Sequence, residues 1–366
     1  FFLTHYMNWR KEILDKNKIR VFLDLGGGVL DAMVETAAYI INISVSNQNS
    51  MVIRATKSDD KEYKTKEVIN EINKGNQNID YFDVNSKNLS DISNYPFSYW
   101  VDEKTLNLFK QKRFKTDSRA AYQGLATSDN FRFVRDIVEV QPAKYLGFLN
   151  SPESTRYYFD KTQVVLWDQD GLEVKALAEK LYKQASRTIK SQNVYGRKGI
   201  SWAFRTSTFQ PHIVPIGFAP TSGRYLAVFE NEEEILSTTS LWNSEYIDYC
   251  LKLSMEKDYQ PKFINGTVNQ LPYPSMSSQL ADSLREITVS QFFRVKNAYS
   301  LDDKSIDFIN NSYVKTQDLN SFLNDRVNQL SHNKEAYLKD LEKVNKFVYE
   351  MFNINENERN EIKEIV

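Results

Sequence analysis

For fifty residues, from Lys180 to Phe229, the chain carries eight lysines and arginines and not one aspartate or glutamate. They are Lys180, Lys183, Arg187, Lys190, Arg197, Lys198, Arg205 and Arg224. The whole chain is nearly neutral, with 47 basic against 48 acidic residues, so this charge is concentrated locally. Tyr182, Tyr195, Trp202, Phe204, Phe209 and Tyr225 are interleaved with it. Such a surface suits a polyanion that carries flat bases. The bland alternative is a solvated sheet face whose cations happen to lack acidic neighbours.

The totals bound the class of protein. At 366 residues the chain is long enough for two or three domains with proper cores. Its 41% apolar and 13% aromatic content marks a folded protein rather than a disordered one. Cys250 stands alone, which rules out an internal disulfide and a Cys-based zinc site and fits a reducing, cytoplasmic compartment. His5, His212 and His332 are too scattered for a His metal centre or a His-driven triad, so no metal is expected. No apolar run approaches the length of a membrane span. The start, FFLTHYMNWRKEI, reads as a chain entered midway rather than a signal peptide, so a larger protein is expected around it.

Periodicity and turn chemistry predict an α+β multidomain chain. A helix is expected over Thr4–Lys16, and strands over Ile19–Leu25, Ala37–Val45 and Met51–Ala55. Gly26-Gly27-Gly28 closes the first strand as either a tight turn or a phosphate cradle. It lacks the spacing of a dinucleotide loop and the Lys of a P-loop. From Lys57 to Glu103 the balance turns acidic and Asn-rich, and residues 57–117 read as a connector or insertion, with a helix from Lys104 to Phe114. An irregular α+β region over 118–275 contains expected strands Gln163–Trp167, Val194–Thr206, Ile213–Ala219 and Tyr225–Phe229. Helices are expected over Lys175–Lys190 and Trp242–Met255. Residues 276–366 are helical. Leu323, Val327, Leu330, Tyr337, Leu341, Val344, Val348 and Met351 follow 4,3 spacing, expected to pack on a helix of the same chain or on a coiled-coil partner.

Several stretches are more specific. Tyr122–Phe133, YQGLATSDNFRF, resembles the GL-T-DN-RF signature of the large adenine-specific DNA methyltransferases of bacterial defence. These are the PglX proteins of bacteriophage-exclusion (BREX) systems and the fused restriction–modification enzymes. NYPFSYWVDE (Asn94–Glu103), VVLWDQDGLEV (Val164–Val174), GISWAFRTSTFQPHIVPIGF (Gly199–Phe218) and FINGTVNQLP (Phe263–Pro272) are similar to further family segments in the same order, spanning about 180 residues. GFLNSPESTRYY (Gly147–Tyr158) matches weakly.

The resemblance implies that residues 1–56 are the end of a methyltransferase catalytic α/β sheet and 118–275 the target-recognition domain, followed by the helical carboxy-terminal region. The family transfers a methyl group from S-adenosylmethionine to the exocyclic amine of an adenine flipped out of the duplex. Its Asn/Asp-Pro-Pro-Tyr/Phe tetrad has no counterpart here, since no Pro-Pro pair occurs in the sequence. The cofactor is therefore expected to belong to the parent protein and not to this segment. Double-stranded DNA is the expected partner, along with other defence proteins, and no membrane.

Roles divide by contact type. Lys180, Lys183, Arg187 and Lys190, expected along one helix, would neutralise phosphates. Arg197, Lys198, Arg205, Thr206, Ser207 and Thr208 would reach base edges, where an Arg–guanine pair discriminates by about 1–3 kcal/mol. Arg119 and Arg224 belong to the same basic surface. Thr127, Asp129, Asn130 and Arg132 would contact the backbone beside the flipped base, turn capping being an equal reading for Asp129 and Asn130. Trp202, Phe204, Trp167 and Trp100 are assigned to the core. The alternatives are a free-standing specificity subunit without enzyme activity, which the first 55 residues argue against, and an RNA-binding surface.

Overall fold

In the computed structural model, the apolar run at Ile19 becomes a central strand. The structure describes residues 6–365 apart from 17, 30–33, 46, 93, 151–154, 256–260, 301, 303–304 and 309–317. It comprises two compact units, Phe1–Lys112 with Leu253–Tyr259, and Arg113–Lys252 with Gln260–Val366.

In the first unit, helix α1 (Met7–Asp15) precedes strands β1 (Ile19–Gly26), β2 (Thr36–Ile41) and β3 (Ser50–Arg54), helix α2 (Lys61–Asn73), strand β4 (Tyr81–Val84) and helix α3 (Glu103–Phe109). The sheet order is β2-β1-β3-β4, with β1 parallel to β3 and the outer pairs antiparallel. The acidic stretch after Lys57, expected as a connector, therefore supplies both a helix and an edge strand of this sheet. Phe22 packs on Phe97 at 4.6 Å between ring centroids, and Tyr99 donates its hydroxyl to the buried Asp24 at 2.6 Å. The buried hydroxyl titrates far above its usual range because burial and the Asp24 charge both disfavour a phenolate. Gly26 (φ +64°) turns the chain out of β1, and Thr36 Oγ1 donates to its carbonyl as β2 begins.

The second unit contains two four-stranded sheets. It opens with β5 (Arg119–Gln123), the one-turn helix α4 (Asn130–Phe133), β6 (Val134–Asp136), β7 (Tyr145–Leu149) and β8 (Gln163–Leu166). Helix α5 (Asp168–Tyr182) is followed by β9 (Gly199–Ala203), β10 (His212–Val214), β11 (Phe218–Pro220) and β12 (Arg224–Phe229). One sheet has the order β10-β9-β12-β5 and is antiparallel throughout. The other is β11-β7-β8-β6. The single strand expected at Ile213–Ala219 is thus two strands in different sheets, because Pro215 and Gly217 break the run between them.

Helix α6 (Glu233–Trp242) packs Trp242 against Trp202 of β9, at 5.7 Å. Both indoles are fully buried, each removing a large apolar area from water at roughly 25 cal/mol per Å². Beyond α7 (Glu245–Leu253) and α8 (Asn265–Asn269) come α9 (Ser278–Tyr299), α10 (Leu319–Met351) and α11 (Glu356–Ile365). Helix α10 packs on α9 of the same chain, where Gln291 Nε2 donates to Tyr337 O at 2.9 Å and Arg294 pairs with Asp340 at 2.6 Å. Val344 and Val348 are buried, whereas Val327 and Leu330, on the same expected seam, are exposed; Leu323's side chain lies outside the described residues. No helix among the described residues is long and apolar enough to cross a membrane.

Candidate nucleic-acid interface

The GL-T-DN-RF stretch folds as it does for steric and capping reasons. At Gly124, just past β5, a Cβ would lie 1.8 Å from the carbonyl oxygen of Pro220, so no other residue fits. The close approach lets Leu125 N donate to Pro220 O at 3.0 Å and accept, through its carbonyl, from Ser222 N at 2.8 Å. Thr127 is buried; its Oγ1 donates to Asn130 Oδ1 at 2.5 Å and accepts from Asp129 N at 3.2 Å. The Asp129 carboxylate caps α4 by accepting from Arg132 N at 3.0 Å. Capping is therefore what Thr127, Asp129 and Asn130 do in the folded chain. Arg132 pairs with Glu173 at 2.8 Å with both side chains about half exposed, and lies over the ring of the buried Phe133.

Helix α5 starts in a left-handed turn. Gln169, Asp170 and Gly171 have φ of 47°, 59° and 73°, with Gly171 against the Trp167 indole. Two side-chain donors, Lys175 Nζ at 2.7 Å and Gln192 Nε2 at 2.6 Å, fix Asp170 and hold its carboxyl below the usual range. The helix ends at Tyr182, eight residues earlier than the expected Lys190, because Lys183 takes a left-handed C-cap conformation (φ 66°). Of the four expected phosphate contacts, only Lys180 is helical. Arg187 lies in a single 3-10 turn over the Tyr182 ring, and Lys190 donates to Ser186 O at 2.6 Å. All four are exposed, and none forms an ion pair with a carboxylate among the described residues.

Backbone pairing joins the two stretches. Ala126 N donates to Thr188 O at 2.8 Å, and Leu125 forms a β-bridge with Ile189. Leu125, Phe133, Val174 and Ile189 share one core cluster with Phe148, Val165 and Ala219. The capped turn and the cationic loop are thus parts of one surface, held from beneath by common apolar contacts.

The remaining predicted residues separate. Arg205 is exposed, with its guanidinium over the Phe204 ring and its backbone bridging Lys262; Thr206 Oγ1 donates to Thr208 O, and Ser207 is exposed. Phe204 N bonds Gly223 O while neighbouring Ser222 bonds Leu125, so Arg205 sits at the same end of the antiparallel sheet as the turn. Arg197 and Lys198 lie at the opposite end of β9, roughly 13 Å away or more at 3.3 Å per residue. Arg197 donates to Phe229 O at 3.1 Å, and Lys198 pairs with Glu232 at 3.2 Å. Arg119 joins them there, paired with Glu234 at 3.2 Å and stacked over Tyr273 at 4.2 Å.

Arg224, expected on the basic surface, is only 1% exposed and stacks on the Phe159 ring at 4.2 Å, out of reach of a duplex. Burial pushes its guanidinium down to about 10. The imidazole of His212 stacks on the same ring at 5.0 Å, and Lys161 Nζ donates to Phe159 O at 2.7 Å. Burial lowers Lys161 to about 8. It holds His212 well below its ordinary value, with the Arg224 and Lys161 charges adding to the effect. Sequence reasoning overlooked this cluster because His212 and Arg224 reach Phe159 and its neighbour Lys161 only in the fold. It also overlooked Phe131, whose signal was an apolar residue inside an otherwise polar capped turn.

No family profile matches the chain, and no curated protein matches it. Among solved structures it is similar to the type IIL restriction-modification enzyme MmeI, solved in complex with DNA. The TM-score is 0.52 at 12% identity, covering 95% of this chain and 45% of that one. It is also similar to the type IIG restriction endonuclease BpuSI, with a TM-score of 0.38, 10% identity, and coverage of 95% and 46%. The chain spans less than half the length of either enzyme. The likeness to MmeI is one of fold: a mixed α+β arrangement of small sheets with a helical carboxy-terminal region.

Proposed function

We propose that this chain is the DNA-recognition part of a restriction–modification type adenine methyltransferase, of the kind found in phage defence. The observation that carries the reading is the Ala126–Thr188 bond, which sets a loop of cations without carboxylate partners beside a rigidly capped turn. Lys180, Lys183, Arg187 and Lys190 neutralise phosphates, giving affinity without sequence information. Arg205 and Ser207, exposed at the same end, read base edges. Arg132, on the adjacent one-turn helix, exchanges Glu173 for a phosphate when the duplex docks. MmeI, with which this chain shares its fold, was solved with DNA bound, and this supports the duplex over RNA.

In this reading S-adenosylmethionine is bound by the parent protein. Gly26, at the end of β1, accepts from Thr36 Oγ1 where antiparallel β2 begins, and the sequence has no Pro-Pro pair from which to build the tetrad that holds the target amine. The methyl transfer belongs to the parent protein, and this part chooses where it acts.

The test is fluorescence anisotropy with a 30-base-pair random duplex pool, a single-stranded pool and structured RNA across a salt series. The duplex should bind tightest, with a log–log salt slope near −0.9 per neutralised phosphate. Preference for RNA, or no salt dependence, would overturn the reading.

A further inference from the structure

Phe131 is 93% exposed, more than any other aromatic side chain among the described residues. Single exposed apolar residues are ordinary on protein surfaces, so exposure alone carries nothing. What sets Phe131 apart is that the surrounding structure prevents it from lying down on the protein. Its one-turn helix is capped by Asp129, and the Thr127–Asn130 bond locks the turn before it. Two residues on, Phe133 is fully buried and anchors the helix in the core. The Phe131 carbonyl accepts from Arg135 Nη1 at 2.6 Å. A benzyl group fully in water forgoes about 1.5–3 kcal/mol of possible burial.

The second observation is what lies beside it. The turn that carries Phe131 is hydrogen-bonded to the cationic loop through Ala126 and Thr188, and that loop presents Arg187 and Lys190 to solvent without carboxylate partners. A rigid, outward-pointing aromatic next to unneutralised cations matches the chemistry of a nucleic acid on both counts. The phosphates satisfy the charges, and an unstacked base offers the one flat apolar face available on a duplex. A protein partner would leave the adjacent cations uncompensated unless it also brought an acidic patch.

We propose that Phe131 enters the base stack of the bound duplex as a wedge, filling the gap at a locally opened step while Arg187 and Lys190 hold the flanking phosphates. The proposal rests on the DNA-recognition reading above and assigns the insertion to one side chain. No bond is made or broken; the wedge exchanges base–base stacking for base–phenyl stacking.

The experiment compares two 30-base-pair random duplex pools, one intact and one carrying a central abasic site, binding to the full chain by anisotropy. An abasic site removes the cost of opening the stack. The wild-type chain should therefore favour the abasic pool by about tenfold, the scale of one base–aromatic contact. Phe131→Ala should lose that preference, and Phe131→Trp should keep it. Circular dichroism checks that each variant is folded, which the exposure of the side chain favours. An unchanged preference in Phe131→Ala, or no preference in the wild type, overturns the wedge and leaves duplex recognition standing. If neither pool binds at all, the functional reading falls and takes the wedge with it. Loss of self-association in Phe131→Ala, seen by light scattering, would instead place the ring in a protein contact and overturn the proposal.

Discussion

Arg187 and Arg224 come from the same acid-free stretch and would be scored alike from the sequence, yet they have opposite environments. Arg187, with Lys180, Lys183 and Lys190, lies on and just after α5, exposed and without a carboxylate. Arg224 starts a central strand of the antiparallel sheet and is packed on Phe159, while Lys198 and Arg119, at the far end of that sheet, meet Glu232 and Glu234. The acid-free stretch ends at Phe229, and Glu230, Glu232, Glu233 and Glu234 follow at once. Chain reversal after β12 brings two of these four to the far end of the sheet: Glu232 meets Lys198 and Glu234 meets Arg119 in ion pairs. A local absence of acid is thus a poor guide within a sheet, where partners come from other strands. It is a better guide in a loop that packs by its backbone.

The sharpest way to break this division is at the join. Gly124→Val would drive a side chain into the Pro220 carbonyl, and should cost at least about 3 kcal/mol in urea unfolding and abolish duplex binding. A well-folded variant would show that the turn does not depend on that approach.

On the buried side, His212 is held neutral below its unfolded value near 6.5, so the unfolded chain takes up the proton first as the pH falls. Its contribution to stability is therefore complete above about pH 6.5 and is lost below it. His212→Phe should gain relative to wild type by about 1.4 kcal/mol per pH unit between pH 6.5 and 5, measured as the difference in unfolding free energy. A pH-independent difference would mean that the ring reaches a proton acceptor when charged.

On the exposed side, the double change Arg187→Ala and Lys190→Ala should weaken duplex binding about tenfold at low salt, flatten the log–log salt slope by roughly two, and leave the unfolding midpoint unchanged. The smallest effect belongs to Lys198→Ala. Its pair with Glu232 is on the surface, so stability should move by less than about 1 kcal/mol and duplex affinity by less than twofold. A larger binding loss at Lys198 than at Arg187 would reverse the assignment of the two sets.

The legible parts of the fold were those set by local pattern. Strands at Ile19, Ser50, Gln163 and Arg224 coincide with apolar, β-branched runs, and the 4,3 spacing through Val344 and Val348 did identify the long helix packed on α9. The end of α5 was not legible, because Lys183 ends it by a backbone conformation that lysine adopts without advertising it. Strand Tyr81–Val84 was missed because four residues in an acidic, Asn-rich context carry too little alternation to register. In the candidate site, the turn chemistry of Thr127, Asp129 and Asn130 was readable as capping, whereas the solvent position of Phe131 was not. A one-turn helix has no periodicity from which its exposed face can be deduced.

What the sequence determined by itself was the inventory: the concentrated positive charge, the capping residues and the apolar runs. Those properties depend on neighbours a few bonds away. Tertiary structure decided which cations remain in water and which are neutralised or buried. That outcome depends on strand order and on contacts between residues far apart in the chain, such as Ala126 with Thr188 and Arg119 with Glu234, whose pairing no local pattern encodes.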